Sequence, residues 1–118
     1  MSQELTAGDF LIFQLEAGYG LLRLLGNSTQ HGDTVWHLEA YGDLFLDVDG
    51  VEAALADPSK LTIAEPHLAL TTRAFESTQV ARIQNLAVTD QERERIDDWA
   101  KGDADVSDRS VRLLLGLR

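Results

Sequence analysis

Two apolar runs separated by a few residues that include glycine leave a chain little choice but a β-hairpin, and residues 8–26, GDFLIFQLEAGYGLLRLLG, have that form. DFLIFQLE (9–16) is rich in Phe, Ile and Leu, AGYG follows, and LLRLLG (21–26) is the second run. Paired leucines on either side of Arg23 would suit a helix, but Gly20 and Gly26 leave room for barely one turn, so the segment reads as a strand. NSTQHGD (27–33) is a polar turn. TVWHLEAY (34–41) is then a strand with Val35, His37, Glu39 and Tyr41 on one face and Trp36, Leu38 and Ala40 on the other. After a turn at Gly42-Asp43, LFLDV (44–48) reads as a fourth strand. The first 48 residues thus predict a four-stranded antiparallel meander, strongly bent or closing into a small open barrel.

The second half mixes elements. VEAALA (51–56) predicts a short helix, capped from Asp49 with Glu52 three residues on, and Asp57-Pro58-Ser59 ends it. KLTIAE (60–65) and HLALTTR (67–73) are strand-like, and Pro66 between them marks an edge or a bend. STQVARIQ (77–84) predicts a further strand. Thr89-Asp90-Gln91-Glu92 is a helix start with a Thr cap and acidic first turn; Ile96, Trp99 and Ala100 form its apolar stripe and Gly102 its stop. DADVSD is a solvated linker, and SVRLLLGLR (110–118) an apolar tail equally compatible with a strand or a helical turn. The expectation is one α+β domain over residues 1–118. Its parts are a meander (1–48), a short helix with further strands (49–88), a helix packed on the sheet (89–102) and the tail (107–118).

A chain of 118 residues buries roughly two thirds of the surface it exposes when unfolded, enough for a real core. No apolar stretch approaches a membrane span, and MSQELTAGDF lacks the basic and apolar regions of a secretion signal, so a soluble cytoplasmic protein is expected. Cysteine is lacking, which removes disulfides, thiolate-bound zinc and thiol nucleophiles from consideration. Net charge is −10, from twenty acidic and ten basic residues. That balance repels phosphate backbones and favours fast, salt-sensitive association with a basic protein. A protein partner is expected, with no nucleic acid, membrane or cofactor, the chain itself being a monomer or homodimer.

The sharpest local motif is LFLDVDGV (44–51), an apolar run ending in Asp-x-Asp-Gly. It resembles the first motif of haloacid-dehalogenase-type phosphatases, which implies Asp47 as nucleophile and Asp49 as acid/base, with magnesium on the phosphoryl oxygens. Those enzymes build on a doubly wound parallel sheet, whereas the strands before Asp47 read as antiparallel, and the 67 residues after Val51 are few for the βα units required. An EF-hand does not fit, because aligning Gly50 with its glycine puts Phe45 and Ala56 at the first and last ligand positions. His31, His37 and His67 lack metal-ligand spacing, and no metal site is expected. Two acidic groups remain as candidate contacts for a basic partner: Asp43, Asp47, Asp49 and Glu52, and Asp97, Asp98, Asp103 and Asp105. The competing account of both is a solvated surface.

The order of elements resembles one family of bacterial immunity proteins, the twenty-sixth numbered immunity family of polymorphic toxin systems. Its members open with Gly-Asp, an apolar strand and a Gly-Tyr-Gly-like turn into a second strand, a pattern met here by Gly8, Asp9, Gly18, Tyr19 and Gly20. An aromatic-containing strand, DLFLDV and a helix opening VTDQER follow, so the likeness spans about residues 7–100. The resemblance implies a small non-enzymatic protein that binds and neutralises a toxin, many such toxins being basic nucleases. It is a pattern of strands and turns, and assigns no contact residue. A third possibility is a structural subunit in which residues 110–118 pair with a second copy.

Overall fold

The computed structural model describes residues 4–117. Five strands make one open antiparallel sheet: β1 (Asp9–Leu15), β2 (Gly18–Gln30), β3 (Asp33–Tyr41), β4 (Ile63–Thr71) and β5 (Ala81–Asn85), in the order β4-β3-β2-β1-β5. Four helices complete the α+β fold: α1 (Val48–Leu55), α2 (Thr72–Glu76), α3 (Asp90–Lys101) and α4 (Val111–Leu115). A single 3₁₀ turn, Pro58–Lys60, follows α1.

The opening hairpin forms as expected, but its glycines do a different job. Glu16 and Ala17 make the two-residue turn, with Leu15 paired to Gly18. Gly18 and Gly20 lie within β2, where neighbours approach the backbone too closely for a side chain. A Cβ on Gly20 would sit 2.3 Å from the Phe13 ring, and one on Gly18 would sit 2.1 Å from the Phe45 carbonyl oxygen. The strand also runs to Gln30, so the predicted turn at 27–33 shrinks to His31-Gly32.

Both faces of the sheet are covered. On one, Leu11, Phe13, Leu22, Leu24, Leu38 and Leu70 pack with Ala74 and Phe75 of α2 and Val111 of α4. Trp36 and Phe75 stack there at 4.3 Å between ring centroids, and the Trp36 indole donates to Thr72. On the other face Phe10, Leu21 and Tyr41 pack with Val51 and Leu55 of α1. Fully buried side chains of this size each contribute roughly 1.5–3 kcal/mol through lost contact with water. β2 keeps both sets in phase by a bulge between Leu24 and Gly26, after which Gly26 and Ser28 lie opposite His37 and Val35.

Several local expectations are corrected. LFLDV (44–48) is not a strand: Phe45 makes one bridge to Tyr19, and Val48 already begins α1. The cap of α1 is Asp47, whose side chain accepts from the Gly50 amide at 2.8 Å, rather than Asp49 two residues later. KLTIAE and HLALTTR merge into the edge strand β4, and Pro66 sits where an edge tolerates a missing donor. Residues 72–76 form α2, capped by Thr71, and the strand expected over 77–84 is reduced to β5. The inner stripe of α3 is Glu92, Arg95, Ile96 and Trp99, with Ala100 exposed. The tail is helical in α4; Arg118 and residues 1–3 lie outside the described residues.

Beyond β4 the chain adds one further contact to the sheet. Ser107 bridges Leu70 in parallel, donating to the Ala69 carbonyl at 2.8 Å and accepting from the Thr71 amide at 3.0 Å. Asp108 is held next to it by Thr71 and Arg73. No helix among the described residues is long and apolar enough to cross a membrane.

The close approach at Gly18 makes it an exacting position. Gly18→Ala is expected to destabilise the protein by about 1–3 kcal/mol in urea unfolding. Amide exchange at Tyr19 and Phe45 should quicken, because the added methyl pushes the 44–46 segment off the hairpin. Unchanged exchange there would show that the segment is held by something else.

Candidate functional site

Beneath α3 the sheet carries a polar layer. Arg23, in the middle of an apolar run, points toward the face that holds α3; its guanidinium pairs with Glu92 and donates to the carbonyls of Leu86 and Ala87 at 2.7 and 3.0 Å. Its Nε is buried without a partner among the described residues, and the Phe10 ring lies under the cation at 5.2 Å. Glu39, buried on β3, accepts from Tyr41 and pairs with Arg95, which also donates to the Pro66 carbonyl at 2.9 Å. Burial, reinforced by Glu39, holds the Tyr41 phenol well above its ordinary range, so it stays a donor.

His37 and His67 are 30 residues apart in sequence, yet β3 and β4 bring them together. His37 Nδ1 and His67 Nε2 are 2.8 Å apart, Ser28 Oγ lies 2.7 Å from His37 Nε2, and the Trp99 ring packs edge-on against His37 at 4.7 Å. Burial lowers His37 to about 4, with His67 adding to the effect; burial and then Arg95 lower His67. Both rings are therefore neutral near pH 7, one donating to the other. No group of three or more His, Cys, Asp or Glu able to hold a metal ion occurs among the described residues.

The predicted acidic residues lie elsewhere. Asp43 accepts from the Thr62 amide at 2.7 Å, Asp47 caps α1, and Asp49 and Glu52 are exposed on that helix. Asp47 and Asp49 thus stand at a helix start rather than at the end of a sheet strand. Asp97 and Asp98 are exposed on α3, and Asp103 and Asp105 on the segment after it, where the Asp105 carbonyl accepts the Trp99 indole at 2.7 Å. Helices α1 and α3 cover the same sheet face, so the outward carboxylates of both belong to one side of the molecule. Six of the twenty carboxylates stand in ion pairs, and none of the eight candidates is among them within the described residues.

A second feature escaped sequence reading. An apolar groove of about 270 Å³ runs beside the β1–β2 turn, walled by Leu15, Tyr19, Leu44, Phe45, Leu46 and Leu117, with Glu16 the one charged wall residue among the described residues. Phe45 turns inward to the Phe10 cluster; with the extended alternation of side chains, Leu44 and Leu46 turn out and are 58 % and 87 % exposed. The signal was legible as Asp43-Leu44-Phe45-Leu46-Asp47, an apolar triplet closed by a carboxylate at each end.

Comparison with known proteins adds no relative: no family model matches the chain, and neither curated proteins nor solved structures yield a match.

Two outcomes follow from the polar layer. Arg23→Met strands Glu92 and two carbonyls and is expected to cost about 3 kcal/mol in chemical unfolding; a neutral result would mean that water replaces the guanidinium. For His37, the unfolded ring takes a proton near 6.5 and the folded ring only near 4. The unfolded chain therefore binds more protons between those values, and about 3 kcal/mol of stability present above pH 6.5 is lost as pH falls to 4. Urea midpoints measured across that range should fall in the native chain and flatten in His37→Gln; parallel profiles would assign the loss to other groups.

Proposed function

We propose that the chain is a non-catalytic, acidic protein-binding domain that holds a basic partner, in the manner of an immunity protein neutralising a toxin. The observation that carries this reading is how the charges are distributed. Arg23, Arg93 and Arg95 are tied to Glu92, Asp90 and Glu39, while among the described residues Asp49, Glu52, Asp97, Asp98, Asp103 and Asp105 face solvent with no ion pair and outnumber the exposed Lys101 at the end of α3. The surface over α1 and α3 is thereby left negative, and a partner carrying lysine and arginine gains both steering and contact energy on it. A cytoplasmic site of action fits such a role.

The reading is tested by immobilising the protein and capturing partners from the lysate of its source cell at low and high salt. The expected result is one basic protein bound in stoichiometric amount, released as screening rises. Replacing Asp97, Asp98, Asp103 and Asp105 together by Asn should weaken capture while leaving the thermal midpoint in place. Retention that ignores both salt and these substitutions would contradict the reading.

A further inference from the structure

An aliphatic side chain that is 87 % exposed contributes little to folding, so Leu46 at the rim of an apolar groove asks for another explanation. The groove is also preformed. Tyr19 and Phe45 exchange two backbone hydrogen bonds, at 2.7 and 3.0 Å, which fix the 44–46 wall against the hairpin, and the glycine at 18 makes that approach possible. Glu16 lines one wall, and the apolar triplet Leu44–Leu46 of the other is flanked in sequence by Asp43 and Asp47. Of the cations near the groove in sequence, Arg23 pairs with Glu92 and Arg112 donates to the carbonyls of Gln14 and Thr78, while Arg118 lies outside the described residues.

We propose that this groove is the anchor pocket for a basic polypeptide, taking one aliphatic side chain that is flanked in the partner by lysine or arginine. The proposal rests on the protein-binding reading above and names where and how the partner is gripped. Charge complementarity selects this occupant. A second copy of the chain would bring its own ten excess negative charges to an acidic rim. At about 270 Å³ the groove lies just below the roughly 300–1,000 Å³ of pockets that enclose small molecules, and it suits a single side chain better. An apolar anchor inside a charged border is the arrangement in which a few residues supply most of an interface's energy.

The test uses the full-length ¹⁵N-labelled protein and three short synthetic peptides: alternating Lys and Leu, alternating Glu and Leu, and alternating Lys and Ser. The Lys/Leu peptide alone should shift the amides of Gly18, Tyr19, Leu46 and Leu117 in a saturable way. Leu46→Asp should weaken that binding about tenfold or more, with an unaltered thermal midpoint because Leu46 is so exposed, and Glu76→Gln on α2 should leave it unchanged. Equal binding of the Glu/Leu peptide, shifts centred elsewhere, no binding, or indifference to Leu46→Asp would each overturn the proposal. So would a dimer that dissociates in Leu46→Asp, which would give the groove to a second copy. A basic protein captured from lysate that binds Leu46→Asp at full strength would overturn the groove assignment and leave the broader reading standing. If the lysate yields no partner and no peptide binds, both fall.

Discussion

The carboxylate of Glu92 is where the two halves of this fold are joined. One of its oxygens accepts the Thr89 amide and completes the capping box that starts α3; the other holds Arg23 in the centre of the sheet. Arg23 in turn fixes the carbonyls of Leu86 and Ala87, the residues that lead from β5 toward that same helix. A single side chain thus begins a helix and docks it. Neither function is separable, because a carboxylate that left the cap would also leave a buried guanidinium without its counter-charge.

That coupling explains why the two faces of the sheet differ in character. The face under α2 and α4 is sealed by leucines, phenylalanines and a stacked Trp36–Phe75 pair, which pack without regard to direction. The face under α3 is sealed by hydrogen bonds and ion pairs of Arg23, Glu39, His37, His67 and Arg95, which demand geometry. Such a layer contributes less per side chain than apolar packing but permits one placement of the helix. The outward side of α3, carrying Asp97 and Asp98, is therefore presented in a fixed orientation. Groups with the most perturbed proton affinities, His37, His67 and Tyr41, belong to this docking layer.

Much of the architecture was legible because it rests on local chemistry. The opening hairpin, the β3 alternation, the edge position forced by Pro66 and the Thr89–Glu92 cap all depend on residues within a few positions of one another. What was hidden depends on distant partners. Glycines at 18 and 20 look like turn residues until Phe45 and Phe13 are brought against them. DLFLD looks like a strand until one sees that β2 offers it a single bridge beyond the end of β3. His37 and His67 look scattered until β3 and β4 pair. The acidic candidates were readable as exposed charge, whereas the groove beside them depends on Leu15 and Leu117 meeting across the length of the chain.

The short contact between Ser107 and Leu70 bears on how anything can join this molecule. A row of free amides and carbonyls along an outer strand is an open template on which another chain can be laid. Along β4 that template is interrupted twice, by the imino nitrogen of Pro66 and by the molecule's own residues around Ser107, pinned through Asp108 to Thr71 and Arg73. A newcomer would have to peel this strap away before it could add to the sheet. Growth into fibres and strand exchange between copies are thus resisted on this side by the molecule's own chain, and recognition there must proceed through side chains.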